Sequence, residues 1–280
     1  MTAVSSGAVR AVLLAATFAL SGCGGIDGLS GAPLAHVAEV DADSAKDNSG
    51  NIASLSGVIQ QHPNDAVPYN TRGVAYAKAT QYTQAIADFS QAVRLDPHFG
   101  AAYVNRALAY RQIKKDALAL NDFNAAIVAN AQDSGAYLGR GNLLRSQANY
   151  PAALADLNQA IILNPEGAQA YHARGLIYQA QGDNVHAVTD FNNAIDRNPF
   201  VSAPYQARGQ SLLALGKYDK AIEDFNASLN VDPNNSDSWA GLGLAYEKQN
   251  NRDKALESYN RALQVNPGDQ AAKAGLARLS

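Results

Sequence analysis

The bulky apolar side chains of this chain recur with a period of 34 residues between residues 66 and 269. An aromatic residue stands at the fourth position of each copy, in the series Tyr69, Tyr103, Tyr137, Tyr171, Tyr205 and Trp239. A second bulky residue stands at position 24, in the series Phe89, Phe123, Leu157, Phe191, Phe225 and Tyr259. A fixed period of this length predicts a chain that grows by stacking one supersecondary unit and not by enlarging a single core.

Small side chains occupy positions 8, 20 and 27 of each copy. Position 20 is always alanine, in the series Ala85, Ala119, Ala153, Ala187, Ala221 and Ala255. A proline closes every copy except the second, where Ala131 replaces it: Pro97, Pro165, Pro199, Pro233 and Pro267. Small residues at these spacings let helix axes approach closely, while the bulky residues fill the space around them.

The period, together with these aromatic, A-x3-F and proline positions, resembles the tetratricopeptide repeat. The resemblance implies an all-α fold, an α-solenoid of helix-turn-helix units that forms a right-handed superhelix. Each repeat would hold two antiparallel helices, and Gly182 and Gly216 stand where a first helix should end. The six full repeats are 66–99, 100–133, 134–167, 168–201, 202–235 and 236–269.

Partial copies flank the full repeats. Ile52, Leu55, Val58 and Ile59 have helical spacing, so residues 51–65 are predicted to form a degenerate half repeat that caps the first full one. Residues 270–280 begin another first helix and stop. They are predicted to form a C-terminal capping helix, with Lys273 where an aromatic residue stands in the full repeats.

The N-terminal segment is predicted to be a signal peptide that covers residues 1–22. Arg10 precedes an apolar run that is too short to span a membrane as a mature helix, and the sequence Leu20, Ser21, Gly22, Cys23 resembles a bacterial lipobox. This resemblance implies cleavage before Cys23 and acyl chains on that cysteine. The alternative is an ordinary secretory signal that is cut after Ser21.

The composition of residues 23–50 predicts a flexible tether behind the acylated cysteine. Gly24 follows Cys23 where aspartate would signal retention, which by analogy with enterobacterial sorting favours the outer membrane. We therefore expect a lipid-anchored protein on the periplasmic face of the outer membrane.

Composition and motifs argue against several other classes. The net charge of −3 gives no sign of a nucleic-acid partner, and the single cysteine allows no intramolecular disulfide. The five histidines lack metal-ligand spacing, and no phosphate loop or nucleophile motif is present in the sequence. We expect no enzyme activity, cofactor or metal.

An arginine and an aspartate recur together in the repeats. Position 7 is arginine and position 23 is aspartate in the first five copies, and both change in the sixth, to Leu242 and Ser258. This joint loss predicts that each arginine pairs with an aspartate of its own repeat or of the next one. The alternative is an arginine ladder that binds an anionic ligand.

The resemblance also implies a concave groove lined by positions 2, 5, 9, 12 and 13 of the first helices. The predicted groove residues are Asn70, Val74, Lys78, Val104, Leu108, Arg111, Leu138, Asn142, Arg145, His172, Leu176, Gln179, Gln206 and Gln210. Through the fifth repeat these positions contain three cations, Lys78, Arg111 and Arg145, and no acid, although residues 23–280 carry 21 basic and 25 acidic side chains.

We expect the groove to bind partner segments that contain apolar and acidic residues. The alternative is that its cations are ordinary surface charges. The carboxylate clamp of some family members needs Lys and Asn at positions 5 and 9, and neither Asn70 with Val74 nor Leu138 with Asn142 fits it.

The sequence thus predicts a non-catalytic scaffold for protein–protein interaction in envelope biogenesis or assembly. Two alternatives remain: a structural homo-oligomer, and a regulatory subunit of a cell-wall hydrolase or protease.

Overall fold

The computed structural model describes the backbone of residues 44–280 and the side chains from Gly50 onward. The predicted signal peptide, Cys23 and residues 24–43 of the predicted tether lie outside the described part. Fourteen helices make up this part, and it contains no strand, which confirms the all-α solenoid. The helices are α1 (Ser44–Gln61), α2 (Ala66–Lys78), α3 (Tyr82–Leu95), α4 (Gly100–Gln112), α5 (Asp116–Ala129), α6 (Ser134–Ser146), α7 (Tyr150–Leu163), α8 (Ala168–Ala180), α9 (Asn184–Arg197), α10 (Ser202–Ala214), α11 (Tyr218–Val231), α12 (Ser236–Lys248), α13 (Arg252–Val265) and α14 (Gln270–Leu279).

The helices stack in pairs, and one pair corresponds to one repeat. The second helix of each pair packs on its own first helix and on the first helix of the next pair, as α3 packs on α2 and α4. Each contact is therefore local, which is the arrangement expected of a solenoid. Among the described helices, none is long and apolar enough to cross a membrane.

A left-handed residue at position 15 turns each first helix into its second. The six residues have φ between 57° and 79°, and they are Thr80, Lys114, Ala148, Gly182, Gly216 and Asn250. At Gly182 the next residue, Asp183, donates its N–H to the carbonyl of Tyr178 at 2.8 Å, which is the Schellman pattern. The predicted helix ends at Gly182 and Gly216 are confirmed, while four copies adopt the same conformation with a side chain present.

The aromatic residue at position 24 fills the space between neighbouring first helices. Phe225 is fully buried, and it lies between Gly209 of its own repeat and Gly241 of the next. A Cβ atom would lie 2.9 Å from the Phe225 ring at Gly209 and 2.5 Å from it at Gly241. These distances are too short for a side chain, so both glycines are required by close packing.

The first helix differs from its prediction at its N-terminus. Residues 44–50, which were expected to belong to the flexible tether, form the first two turns of α1. The rest of α1 packs on α2 and buries Ile59, so the helix is already nucleated there. Because extending an existing helix adds one hydrogen bond per residue, a polar stretch without apolar anchors can continue it.

Candidate protein-binding groove

The first helices of successive repeats form a continuous row on one side of the stack. Neighbouring first helices contact each other along the whole series α2, α4, α6, α8, α10, α12 and α14. Within residues 44–280 no second helix contacts another second helix directly. The stack is therefore tighter on the first-helix side, which makes that side the concave one.

The recurring arginine and aspartate pair within their own repeat. Arg140 donates from Nε to Asp156 Oδ2 and from Nη2 to Asp156 Oδ1, both at 2.7 Å. The same bidentate geometry is present in the first five repeats, for Arg72–Asp88, Arg106–Asp122, Arg140–Asp156, Arg174–Asp190 and Arg208–Asp224. The hydrogen bonds that Arg140 donates to Asp156 raise the pKa of Arg140, so its guanidinium stays charged at any ordinary pH.

A third contact of each arginine was not foreseen from the sequence. The remaining Nη1 donates to position 25 of the preceding repeat, as in Arg140 to Asn124 Oδ1 at 2.7 Å. These acceptors are Ser56, Ser90, Asn124, Asn158 and Asn192. They recur every 34 residues as small polar side chains, so the periodicity already contained the signal. The arginine thus joins two repeats. Because its Nε, Nη1 and Nη2 atoms all donate hydrogen bonds within the stack, the alternative prediction of an arginine ladder that binds an anionic ligand is wrong.

The predicted groove residues fall into three groups. The first group lines the first-helix row and is half-buried: Val74, Lys78, Leu108, Leu138, Asn142 and Leu176. Gln210 is exposed. Val104 is 1% exposed and lies in the core beside Phe123, so its assignment to the groove is wrong. Its side chain is too short to extend beyond the neighbours that cover position 5.

Three amides of the predicted groove are already hydrogen-bonded to a neighbouring repeat. Asn70 accepts from Asn105 Nδ2 at 3.0 Å. Gln179 donates to the Ala207 carbonyl and to Ser211 Oγ, both at 2.9 Å. Gln206 accepts from Asn235, the last residue of its own repeat, at 3.2 Å and donates to Asp237 of the next repeat at 3.5 Å. These groups stabilise the stack and have less capacity left for a partner.

The centre of the row contains a basic cluster, which we define as Arg111, Arg145 and His172 on α4, α6 and α8. Burial lowers the pKa of both arginines, and the proximity of Arg145 lowers that of Arg111 further, against the opposing effect of Asp116. Burial and the Arg145 charge also lower the pKa of His172 to about 4, so its imidazole is neutral at pH 7. Its ring lies 5.8 Å from that of Phe191.

An open cavity of about 590 Å³ lies at the C-terminal end of the same row. Its walls come from α10, α12, α13 and α14 and include Leu213, Leu244 and Lys248. One side is closed by Glu247, which accepts two hydrogen bonds from Arg278 at 2.8 Å and one from Tyr259 at 2.6 Å. Together with the basic cluster, this cavity gives the first-helix row the shape and mixed polarity of a binding surface.

Sequence models of one family match most of the repeat region. Models described as tetratricopeptide repeat match residues 70–135, 207–275 and 168–200, and a model described as TPR repeat matches residues 141–182. The chain belongs to the tetratricopeptide repeat family. A comparison with curated protein sequences gives no match.

Several solved tetratricopeptide-like arrays share the fold at low sequence identity. One chain of the APC/C hetero-tetramer Cut9–Hcn1 aligns with a TM-score of 0.73 and 20% identity, over 85% of this chain but only 47% of the other. PilW, a type IV pilus biogenesis factor, aligns with a TM-score of 0.67 and 19% identity, over 75% and 98%. YrrB, a TPR protein described as having an unusual peptide-binding site, aligns with a TM-score of 0.57 and 22% identity, over 68% and 97%.

Proposed function

We propose that this protein is a non-catalytic scaffold that binds segments of partner proteins along its first-helix row. The observation that carries the proposal is the row itself, where half-buried leucines alternate with cations that have no acid partner within residues 50–280. An extended or helical segment could cover the apolar positions of several repeats at once, and its acidic groups would meet the cations.

The test of the groove uses capture from envelope extracts. Changing Lys78, Arg111 and Arg145 to Ala should reduce the captured proteins several-fold. A matched control changes the exposed second-helix cations Arg94, Lys220 and Arg261 to Ala. It removes the same charge away from the row, so its capture should match that of the parent chain. Equal capture by both triple variants would contradict the groove.

We further propose that the scaffold is anchored to the bacterial envelope through acyl chains on Cys23, with a role in envelope assembly. The support is the lipobox-like sequence Leu20–Ser21–Gly22–Cys23 at the end of an apolar run. PilW, which has a similar fold, is a pilus biogenesis factor. The chain should sediment with membranes and incorporate labelled palmitate, and Cys23→Ser should abolish both. Membrane association that survives Cys23→Ser would contradict the anchor.

The homo-oligomer remains a second candidate because of two exposed side chains outside the row. Val128 and Ile162 are 87% and 72% exposed at the same position of successive second helices. Exposed aliphatic side chains that repeat along one side of the stack favour association of two surfaces. Light scattering of the chain with Val128 and Ile162 changed to Ser separates the candidates, since only an oligomer built on this surface would lose mass.

A further inference from the structure

Position 12 of the first helices is used differently in different repeats. In the fourth repeat Gln179 donates to Ser211 and to the Ala207 carbonyl, and in the sixth repeat Glu247 pairs with Arg278. The second and third repeats have arginines there, Arg111 and Arg145. Among the described residues neither arginine makes an ion pair or a side-chain hydrogen bond. These two are therefore the members of the series whose charge the stack does not use.

The Nε atom of Arg145 is fully buried and has no hydrogen-bond partner within the described part of the chain. The Nη1 and Nη2 atoms of Arg145 also have no hydrogen-bond partner among the described residues but are not fully buried, so an acceptor from outside the stack can reach them. The charge of Asp116 raises the pKa of Arg111, but the two side chains do not form an ion pair. His172 adds no positive charge at neutral pH, so the two guanidinium groups are the charges of the cluster.

Apolar positions flank the cluster on both sides along the row. Leu108 and Leu138 lie beside the two arginines, Leu176 lies on the next helix, and the cavity between α10 and α14 continues the row beyond it. A segment that uses these positions passes through the cluster and does not end there. The carboxylate that reaches the arginines therefore belongs to a side chain inside the segment and not to a chain terminus.

We propose that Arg111 and Arg145 form a carboxylate-binding subsite for an Asp or Glu side chain of a bound segment, flanked by apolar residues that contact Leu108, Leu138 and Leu176. The proposal rests on the proposed function and specifies the chemistry of the partner. A guanidinium can bind a carboxylate through two parallel hydrogen bonds, and the accessible Nη1 and Nη2 atoms of Arg145 can donate both of them. The arrangement differs from the clamp with Lys and Asn at positions 5 and 9, because it uses position 12 of two consecutive repeats.

The test selects 12-residue peptides from a random library that is displayed between two flanking domains, so that no peptide has a free C-terminus. The bait is the full chain with Cys23→Ser. We expect the selected peptides to share one Asp or Glu at a fixed distance from Leu, Ile or Phe. In a synthetic peptide with an amidated C-terminus, changing that acid to its amide should weaken binding about 10- to 100-fold.

Substitutions in both the peptide and the protein test whether the acid of the peptide binds Arg145. Arg145→Gln should weaken binding by the same factor, and the acid-to-amide change should then have no further effect on affinity. Arg145→Lys should recover only part of the loss, since it restores the charge but not the paired hydrogen bonds. Arg94→Gln, an exposed cation on α3, should leave affinity unchanged, and circular dichroism should show equal helix content in all variants.

The outcomes separate the two proposals. Peptides that lose affinity with Leu176→Ala but show no coupling between their acid and Arg145 would overturn the subsite and leave the groove standing. Selected peptides that share no Asp or Glu at a fixed position would also overturn the subsite as proposed. A library that yields no peptide sensitive to Leu176→Ala would overturn the groove itself, and the subsite with it.

Discussion

The pairing of Arg140 with Asp156 can be tested with a substitution that the chain itself provides. The sixth repeat carries Leu242 and Ser258 at the same two positions, so the parallel change is Arg140→Leu with Asp156→Ser. Leu242 is 4% exposed and Ser258 is also 4% exposed, with its hydroxyl bonded to the Lys254 carbonyl. The stack therefore accommodates the uncharged pair without leaving a polar group unpaired.

The magnitude follows from the burial of the pair. The Asp156 side chain is 7% exposed and that of Arg140 is 24% exposed, and two charge-assisted hydrogen bonds join them. Either single change leaves one charge with little solvent and without its ionic partner, which should lower the free energy of unfolding by about 2–3 kcal/mol. The double change leaves no such charge, so it should lie within about 1 kcal/mol of the parent chain.

The assay is urea unfolding of the four proteins, followed by circular dichroism and fitted with a nearest-neighbour model because repeat arrays need not unfold in two states. The expected coupling energy is at least about 2 kcal/mol. The bond from Arg140 to Asn124 is lost in both arms of the cycle and cancels. As a control, Asp156→Ser and Arg174→Leu should show almost no coupling, since Arg174 pairs with Asp190. Near-zero coupling for Arg140 with Asp156, or stronger coupling across repeats, would refute the intra-repeat pair.

Three further predictions concern the turns, the core and the buried histidine. Ala148 and Gly182 both have left-handed backbone conformations, with φ of 57° and 79°. Ala148→Gly should therefore stabilise the protein by about 1 kcal/mol, and Gly182→Ala should destabilise it by a similar amount. Thermal midpoints that shift in the same direction for both variants would contradict this. Gly241→Ala should cost about 1–3 kcal/mol by pressing on the Phe225 ring, and a urea midpoint equal to that of the parent would contradict the close packing. His172 has a pKa of about 4 in the folded chain and about 6.5 in the unfolded chain. Between these two pH values the unfolded chain binds more protons than the folded chain, so the free energy of unfolding falls as the pH drops through this range. Relative to His172→Gln, the parent should lose up to about 3 kcal/mol between pH 7 and pH 4, and parallel pH curves for the two proteins would rule this out.

The periodic features of the fold were predictable because each is repeated several times within one chain. The glycines at Gly182 and Gly216 marked two of the turns. The joint loss at Leu242 and Ser258 indicated an arginine–aspartate pair, but it did not show whether the partner lies in the same repeat or in the next. Structural features that occur only once in the chain were harder to predict from the sequence. The start of α1 at Ser44 depends on propagation from a packed helix, and no apolar pattern in residues 44–50 signals it.

The burial of Val104 shows a second limit of the periodic description. Position 5 carries half-buried Asn70, Leu138, His172 and Gln206 in other repeats. The side chain at position 5 is thus partly exposed or fully buried, depending on its length. A family pattern assigns the position to the groove, but the reach of each residue decides whether a partner could touch it.

The two kinds of arginine on α6 show which part of the surface is left for a partner. Arg140 and Arg145 lie five residues apart on one helix, yet Arg140 is paired by Asp156 and Asn124, whereas the Nε of Arg145 is buried without an acceptor in the described part of the chain. Position 7 is constant in five repeats because the stack requires its ion pair. Position 12 varies from Ala77 through two arginines to Gln179, Leu213 and Glu247, so stacking does not fix it. A half-buried arginine without an acid partner at such a position leaves its charge unused by the stack, and a bound carboxylate would supply the missing partner.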